Sequence, residues 1–432
     1  MVAAPRGANR RKLMRHQAFP HGVTRDTLLD WFRATRARTR RLFEQLAPEA
    51  YYERPIPLRN PFVFYEGHIP AFAVNTLLKL ALKRGGIDER LETLFARGID
   101  PESEAAMKNP ADVWPSRDDV QAYAAEADAL VERALAEERL DDDTVPHLRG
   151  GEAAFTIIEH ELMHQETLMY MVAAMPKEGG RPVRPPQADE TSALQIKIPA
   201  GRATLGMPRD SAFGWDNELP ELVVDVDAFE IDARNVTNGE YLEFVEATGA
   251  KAPHFWTREN EAWLRRGVFE TSALPLDAPV YVTHDEASAY ARWKGARLPS
   301  EAEYHRAAFG TPAGDERLYP WGDEPPDATR GNFDFASWDP VAAGSYPAGM
   351  SAWGVHDLIG NGWEWTSSVF DGFPGFAPMP SYLQYSADFF DNAHYVMKGA
   401  SPVTPRELVR RSFRNWFRPN YPFVFATFRC AR

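Results

Sequence analysis

Between residues 24 and 175 the apolar positions recur at helical spacing. Leu28, Leu29, Trp31, Phe32, Leu42, Phe43 and Leu46 form one stripe behind Thr24, a residue type suited to capping a helix. A second helix is expected after Gly67, with Pro70 in its first turn. It runs through Phe72, Val74, Leu77, Leu78, Leu80 and Ala81 to Gly85-Gly86. Ser116 caps a third, with Asp118 and Asp119 at its positive N-terminal end, and Val120, Tyr123, Ala127, Leu130, Val131 and Leu135 along its apolar face. A fourth spans about 151–174. Four helices of this length predict an antiparallel bundle over 24–175.

The pattern changes after a stretch rich in Pro and Gly at 176–190, which reads as a linker. From 191 to 432, short apolar runs such as Leu194–Ile198 and Leu222–Val226 read as strands. They alternate with long loops rich in Gly, Pro, Asn, Asp and Trp, and helical spacing returns only near 237–247 and 285–294. The expected fold class is therefore a helical domain followed by an α+β domain.

Composition adds limits. A chain of 432 residues exceeds the size at which single cores stop growing, which fits two domains. The net charge of −14 disfavours nucleic acid as a partner, because phosphate binding needs clustered Lys and Arg. No run approaches the roughly 18 apolar residues of a membrane span. Residues 1–23 lack the apolar core of a secretion signal and read as a basic tail, with a transit peptide the alternative on composition. The single cysteine, Cys430, excludes an internal disulfide and two-thiol chemistry, and fits a reducing cytoplasm.

The candidate chemistry lies in His160-Glu161-Leu162-Met163-His164-Gln165-Glu166. His160 and His164, four residues apart, share one helix face and can bind one metal ion. His68, opening the second helix, is the candidate third ligand. Neutral imidazoles suit Fe, Zn, Cu or Ni, so the ligand type leaves the metal open. Glu161 and Glu166 are either solvated charges or partners that orient the rings, with Glu166 the better candidate for the second role.

These motifs resemble those of the iron-dependent sulfoxide synthases, which carry Gly-His on one helix and His-x3-His-x-Glu on another. Asp216-Asn217-Glu218-x-Pro220, Val236-Thr237-Asn238-Gly239-Glu240-Tyr241, Arg297-Leu298-Pro299-Ser300-Glu301-Ala302-Glu303-Tyr304, Gly360-Asn361-Gly362-Trp363-Glu364-Trp365-Thr366 and Phe428-Arg429-Cys430-Ala431-Arg432 match that family in order. The resemblance implies a DinB-like four-helix bundle followed by a formylglycine-generating-enzyme-like, C-type-lectin-related domain. It implies Fe(II) on His68, His160 and His164, O2 as oxidant and hercynine as substrate. It also raises a structural Ca2+ in the second domain. Arg414-Asn415-Trp416 resembles the segment that helps bind hercynine. An aromatic face suits the trimethylammonium, and an amide can donate to the carboxylate.

The chain departs from the enzymes that use peptide thiols. Phe370 stands where they carry a proton-donating tyrosine, and Phe417 where an Asp often holds the thiol substrate's amine. Met163 replaces a common Gln, and the arginines expected near Asp112-Val113-Trp114 are absent. Loss of charges that match a zwitterionic thiol points to a less charged donor, such as a selenosugar. On that ground, and with Pro61–His68 and Arg97–Pro101 as further segments, the chain is similar to the selenoneine synthases. Trp416, Phe373 and Phe370 are then expected to surround the trimethylammonium or exclude water. Asn415 would hold the carboxylate, and Arg414 would bind ligand or brace the site. Three other readings stay open: an ergothioneine-type synthase using a thiol, a DinB-type zinc or nickel thiol transferase, and a ligand-binding module with a structural metal. The sequence does not indicate an oligomeric state.

Overall fold

The computed structural model describes residues 22–96, 114–177 and 194–432. The basic tail up to residue 21, most of the linker, Arg97–Pro101, Asp112 and Val113 lie outside the described residues. The chain divides into two compact units. The first comprises Met1–Met171 with two short later segments, Asp210–Phe213 and Met379–Leu383. The second comprises Val172–Arg209, Gly214–Pro378 and Gln384–Arg432.

The first unit is helical. Helix α1 (Arg25–Glu44) starts at Thr24, whose side chain accepts from the Thr27 amide. It buries Leu28, Leu29, Phe32, Leu42 and Phe43. Helix α2 (Phe62–Ala73) continues into a π-helical stretch, Val74–Ala81. Short α3 (Glu89–Leu94) is capped by Asp88, and α4 (Arg117–Glu137) by Ser116, which accepts from the Asp119 amide. Helix α5 spans Glu152–Ala174.

The expectation for the second helix needs correction. It begins at Phe62, ahead of Gly67, so His68 lies inside α2 and Pro70 is interior. It also ends at Ala81, before Gly85-Gly86. Gly67 is a point of close packing rather than a helix start: a Cβ there would come within 2.4 Å of the Phe95 ring. The Pro70 nitrogen carries no hydrogen, so one backbone bond is missing within this helix.

The second unit is α+β. Strands β1 (Gln195–Ile198), β2 (Gly201–Leu205), β3 (Leu222–Val226) and β4 (Phe229–Asp232) form two antiparallel pairs, β1 with β4 and β2 with β3. Strands β5 (Trp256–Glu259), β6 (Ala262–Arg266) and β7 (Thr271–Ala273) make a three-stranded sheet. Strands β8 (Gly362–Val369), β9 (Tyr395–Ala400), β10 (Asn415–Phe417) and β11 (Ala426–Thr427) form a sheet in the order β10-β9-β8-β11, with β11 parallel to β8. Ile198, Phe229, Ile231, Tyr304, Phe309 and Leu358 belong to one buried core cluster.

Local chemistry explains the family-like motifs. Helices α6 (Asn238–Thr248), α7 (His284–Trp293) and α8 (Glu301–Phe309) each begin with a reciprocal capping box. Thr237 pairs with Glu240, Thr283 with Glu286 and Ser300 with Glu303, which satisfies amide hydrogens the helix itself leaves unpaired. In Gly360-Asn361-Gly362, the Asn361 side chain accepts from Asn332 Nδ2 and the Val341 amide. Gly360 adopts φ +95°, a conformation that costs other residues strain. Beyond this turn, Trp363 and Trp365 are fully buried, and Glu364 pairs with Arg429 at 2.6 Å.

Candidate metal centre and aromatic site

The three expected histidines meet within the helical unit. His68 Nε2 lies 3.3 Å from His160 Nε2, which lies 3.1 Å from His164 Nε2. Among the described residues this is the single group of three or more His, Cys, Asp or Glu side chains close enough to share a metal ion. His68 and His160 are buried, and His164 is partly so.

Burial lowers the proton affinity of all three rings. His68 is pushed down to about 4, partly opposed by its bond to the Phe95 carbonyl. His160 and His164 lie well below the usual range through burial first and neighbouring positive groups second. The rings are therefore neutral near pH 7. His68 Nδ1 donates to Phe95 O at 2.8 Å, which leaves its Nε2 lone pair facing the other two.

This donor set fits a metal. Two bonds of about 2.1 Å meeting near a right angle separate their nitrogens by about 3.0 Å. The observed spacings are close to that. Three ligands from two helices also leave coordination positions for other groups, as catalytic sites require.

The opposite side of α5 is locked to α1. Glu161 accepts from Thr39 Oγ1 at 2.6 Å and lies 3.2 Å from the Arg36 guanidinium. Gln165 Nε2 donates to Thr35 O and Thr39 Oγ1, both at 3.0 Å. Glu161 thus faces α1 and does not orient a ligand ring; burial pushes its carboxyl up to about 7. Glu166 is buried. Together these bonds set the rotation of α5 about its axis, and with it the direction of His160 and His164.

Aromatic rings flank the triad. Phe64 stacks on His68, with centroids 4.8 Å apart at 18°, and Phe72 stacks on His160 at 3.6 Å and 12°. Tyr65 tilts against His164 at 5.4 Å, and Tyr382 meets Phe72 at 5.2 Å. Met163 lies half-buried beside His164 on α5.

The remaining candidates gather in the second unit. Phe370 is fully buried and stacks on Trp416 at 4.2 Å and 6°. Tyr385 and Phe389 also border Trp416. Asn415 Oδ1 accepts from the Trp416 amide at 2.9 Å, which turns its Nδ2 hydrogens outward from that bond. Arg414 donates to both carboxylate oxygens of Glu301 and to Asn217 O and Asp371 O. Its guanidinium lies 4.3 Å from the Phe373 ring centroid. Arg414 is therefore a brace, with its donors occupied by protein. Phe417 stacks on Tyr421 with ring centroids 4.9 Å apart.

No motif in the sequence marks the Phe95 carbonyl, the Thr35–Thr39–Gln165 bonds or Tyr382. Phe64 and Phe72 carried a legible signal, since they flank His68 at helical spacing.

Comparison with known proteins places these features. Residues 181–432 match the sulfatase-modifying factor enzyme 1-like domain, and residues 32–168 the DinB superfamily. The hercynine oxygenase of Mycolicibacterium smegmatis is 33% identical over 448 residues, covering 95% of this chain and 99% of that protein. That of Mycobacterium tuberculosis is 36% identical over 307 residues, covering 64% and 70%. Ergothioneine biosynthesis protein 1 of Neurospora crassa is 29% identical over 494 residues, covering 90% of this chain and 56% of that protein. A DinB-type helical domain followed by a sulfatase-modifying-factor-type α+β domain, as expected from the motifs, defines an enzyme of the oxidoreductase class. The chain belongs to the hercynine oxygenase family. Among the described residues no helix is long and apolar enough to cross a membrane.

Proposed function

We propose that this enzyme joins hercynine to a selenosugar with O2, through Fe(II) held by His68, His160 and His164. The overall change is balanced: an imidazole C–H, a selenol Se–H and O2 give a C–Se bond, a selenoxide oxygen and one water. The observation that carries the proposal is the convergence of three neutral Nε2 atoms at metal-binding spacing from two helices. Fe(II) at that position supplies the redox centre for O2 reduction.

The protein's own groups do the rest. Trp416 offers its ring to the trimethylammonium, braced from behind by Phe370. Asn415 Nδ2 donates to the hercynine carboxylate. Phe373 and Phe417 contribute apolar surface near Trp416, and Met163 does so beside His164. Arg414 holds this arrangement through Glu301. The single cysteine, Cys430, supports a cytoplasmic setting for this reaction. Phe417 supports the less charged selenium donor, because it cannot pair with the amine of a peptide thiol as an Asp at that position would. Identity with the hercynine oxygenases favours a second reading, in which the donor is a thiol.

The test is anaerobic loading with Fe(II), then O2 uptake with hercynine and either a selenosugar, cysteine or γ-glutamylcysteine, followed by product mass. A selenium adduct formed only with the selenosugar is expected. An adduct with a thiol at equal or greater rate would replace the first reading by the second. No uptake with any donor would remove both.

A further inference from the structure

A histidine bound to a metal usually donates its other ring N–H to a carboxylate or carbonyl, and that bond fixes the ring plane. His68 follows this rule through Phe95 O. His160 does not. Its Nδ1 is buried and has no hydrogen-bond partner among the described residues. A hydrogen bond therefore does not set the plane of this ligand.

What lies against His160 is Phe72. The rings are nearly parallel, 12° apart, with centroids separated by 3.6 Å. Most aromatic pairs in proteins sit edge-on or offset, at about 4.5–7 Å. Face-to-face contact this close blocks rotation of the imidazole out of its plane. Tyr382 packs against Phe72 at 5.2 Å and meets His160 edge-on at 6.1 Å, which confines the pair further.

The spacing on α2 gives the contact a second consequence. Phe64, His68 and Phe72 are four residues apart on one helix, so they share a face. Phe64 stacks on the ligand of its own helix, and Phe72 on the ligand of α5. One helix thus supplies one ligand and orients another.

We infer that Phe72 is a positioning residue for the metal centre, holding the His160 ring by its aromatic face in place of the usual hydrogen bond. This rests on the metal-binding reading of the triad.

The test uses Co(II), whose absorption spectrum reports coordination geometry, with the full-length protein and its Phe72→Leu and Phe72→Tyr variants. Leu keeps apolar bulk without a ring face, and Tyr keeps the face. Thermal melts show that each variant is folded at the assay temperature. Phe72→Leu is expected to bind Co(II) roughly tenfold more weakly, the loss typical of removing a group that orients a ligand. Its absorption bands should shift, while Phe72→Tyr stays close to the parent in both. A Leu variant with parental affinity and spectrum overturns the inference, as does a Tyr variant that fails as badly as Leu. A parent protein that binds no Co(II) overturns the reading of the triad itself, and is told apart by that result.

Discussion

Arg414 and Glu301, 113 residues apart in sequence, form a paired guanidinium–carboxylate contact with both side chains buried. Removing one partner leaves an uncompensated buried charge, which costs about 3–5 kcal/mol. Glu301→Gln should therefore destabilise the second unit by that order in chemical denaturation. A loss below about 1 kcal/mol would show that the pair is not what braces Arg414 beneath Phe373.

Thr39 serves two buried partners on α5, Glu161 and Gln165. Thr39→Val removes one donor and one acceptor and should cost about 1–3 kcal/mol. The double variant Thr39→Val with Gln165→Leu should cost less than the sum of the two, because both act in one network. Additive losses in thermal or denaturant unfolding would dissolve the network.

Lys398 is buried, donates to the Arg411 and Phe413 carbonyls, and lies 3.8 Å from Glu301. Burial lowers its pKa from 10.5 to about 8. Between those values the unfolded chain holds more protons than the folded one, so this group makes stability rise with pH from about 8 towards 10.5. Lys398→Met should flatten that part of the stability–pH curve. An unchanged slope would show that Lys398 stays protonated in the folded protein throughout this range.

Trp416 is the expected partner of the trimethylammonium. Trp416→Ala should raise the apparent Kd for hercynine roughly tenfold, the range of a partly desolvated cation–π contact. Metal content should not change, since the triad belongs to the helical unit. Calorimetry with unchanged hercynine affinity would place the cation elsewhere.

Parts of this architecture were legible because they depend on short spacings. The His160–His164 pair shares a face by helical periodicity alone. The helices near 237–247 and 285–294 showed in their spacing, whereas α8, nine residues long behind the Ser300–Glu303 box, is too short to show a period and was not expected. Gly67 misled, because a glycine reads as punctuation whether it ends a helix or admits a neighbouring ring, and only the Phe95 contact tells these apart. Arg414 could be read as a ligand-binding residue because its carboxylate partner lies far along the chain. Phe95 was invisible for a different reason: it acts through its backbone carbonyl, which every residue possesses.

The helical unit is not a continuous stretch of polypeptide. Phe213 stacks on Phe155, the Ser381 amide donates to Glu152 at 2.8 Å, and Tyr382 packs on Phe72. Recombination that carried off only the stretch up to Met171 would strip the ring behind Phe72 and the donor to Glu152. The surroundings of the candidate metal centre therefore draw on a segment encoded some two hundred codons beyond Met171.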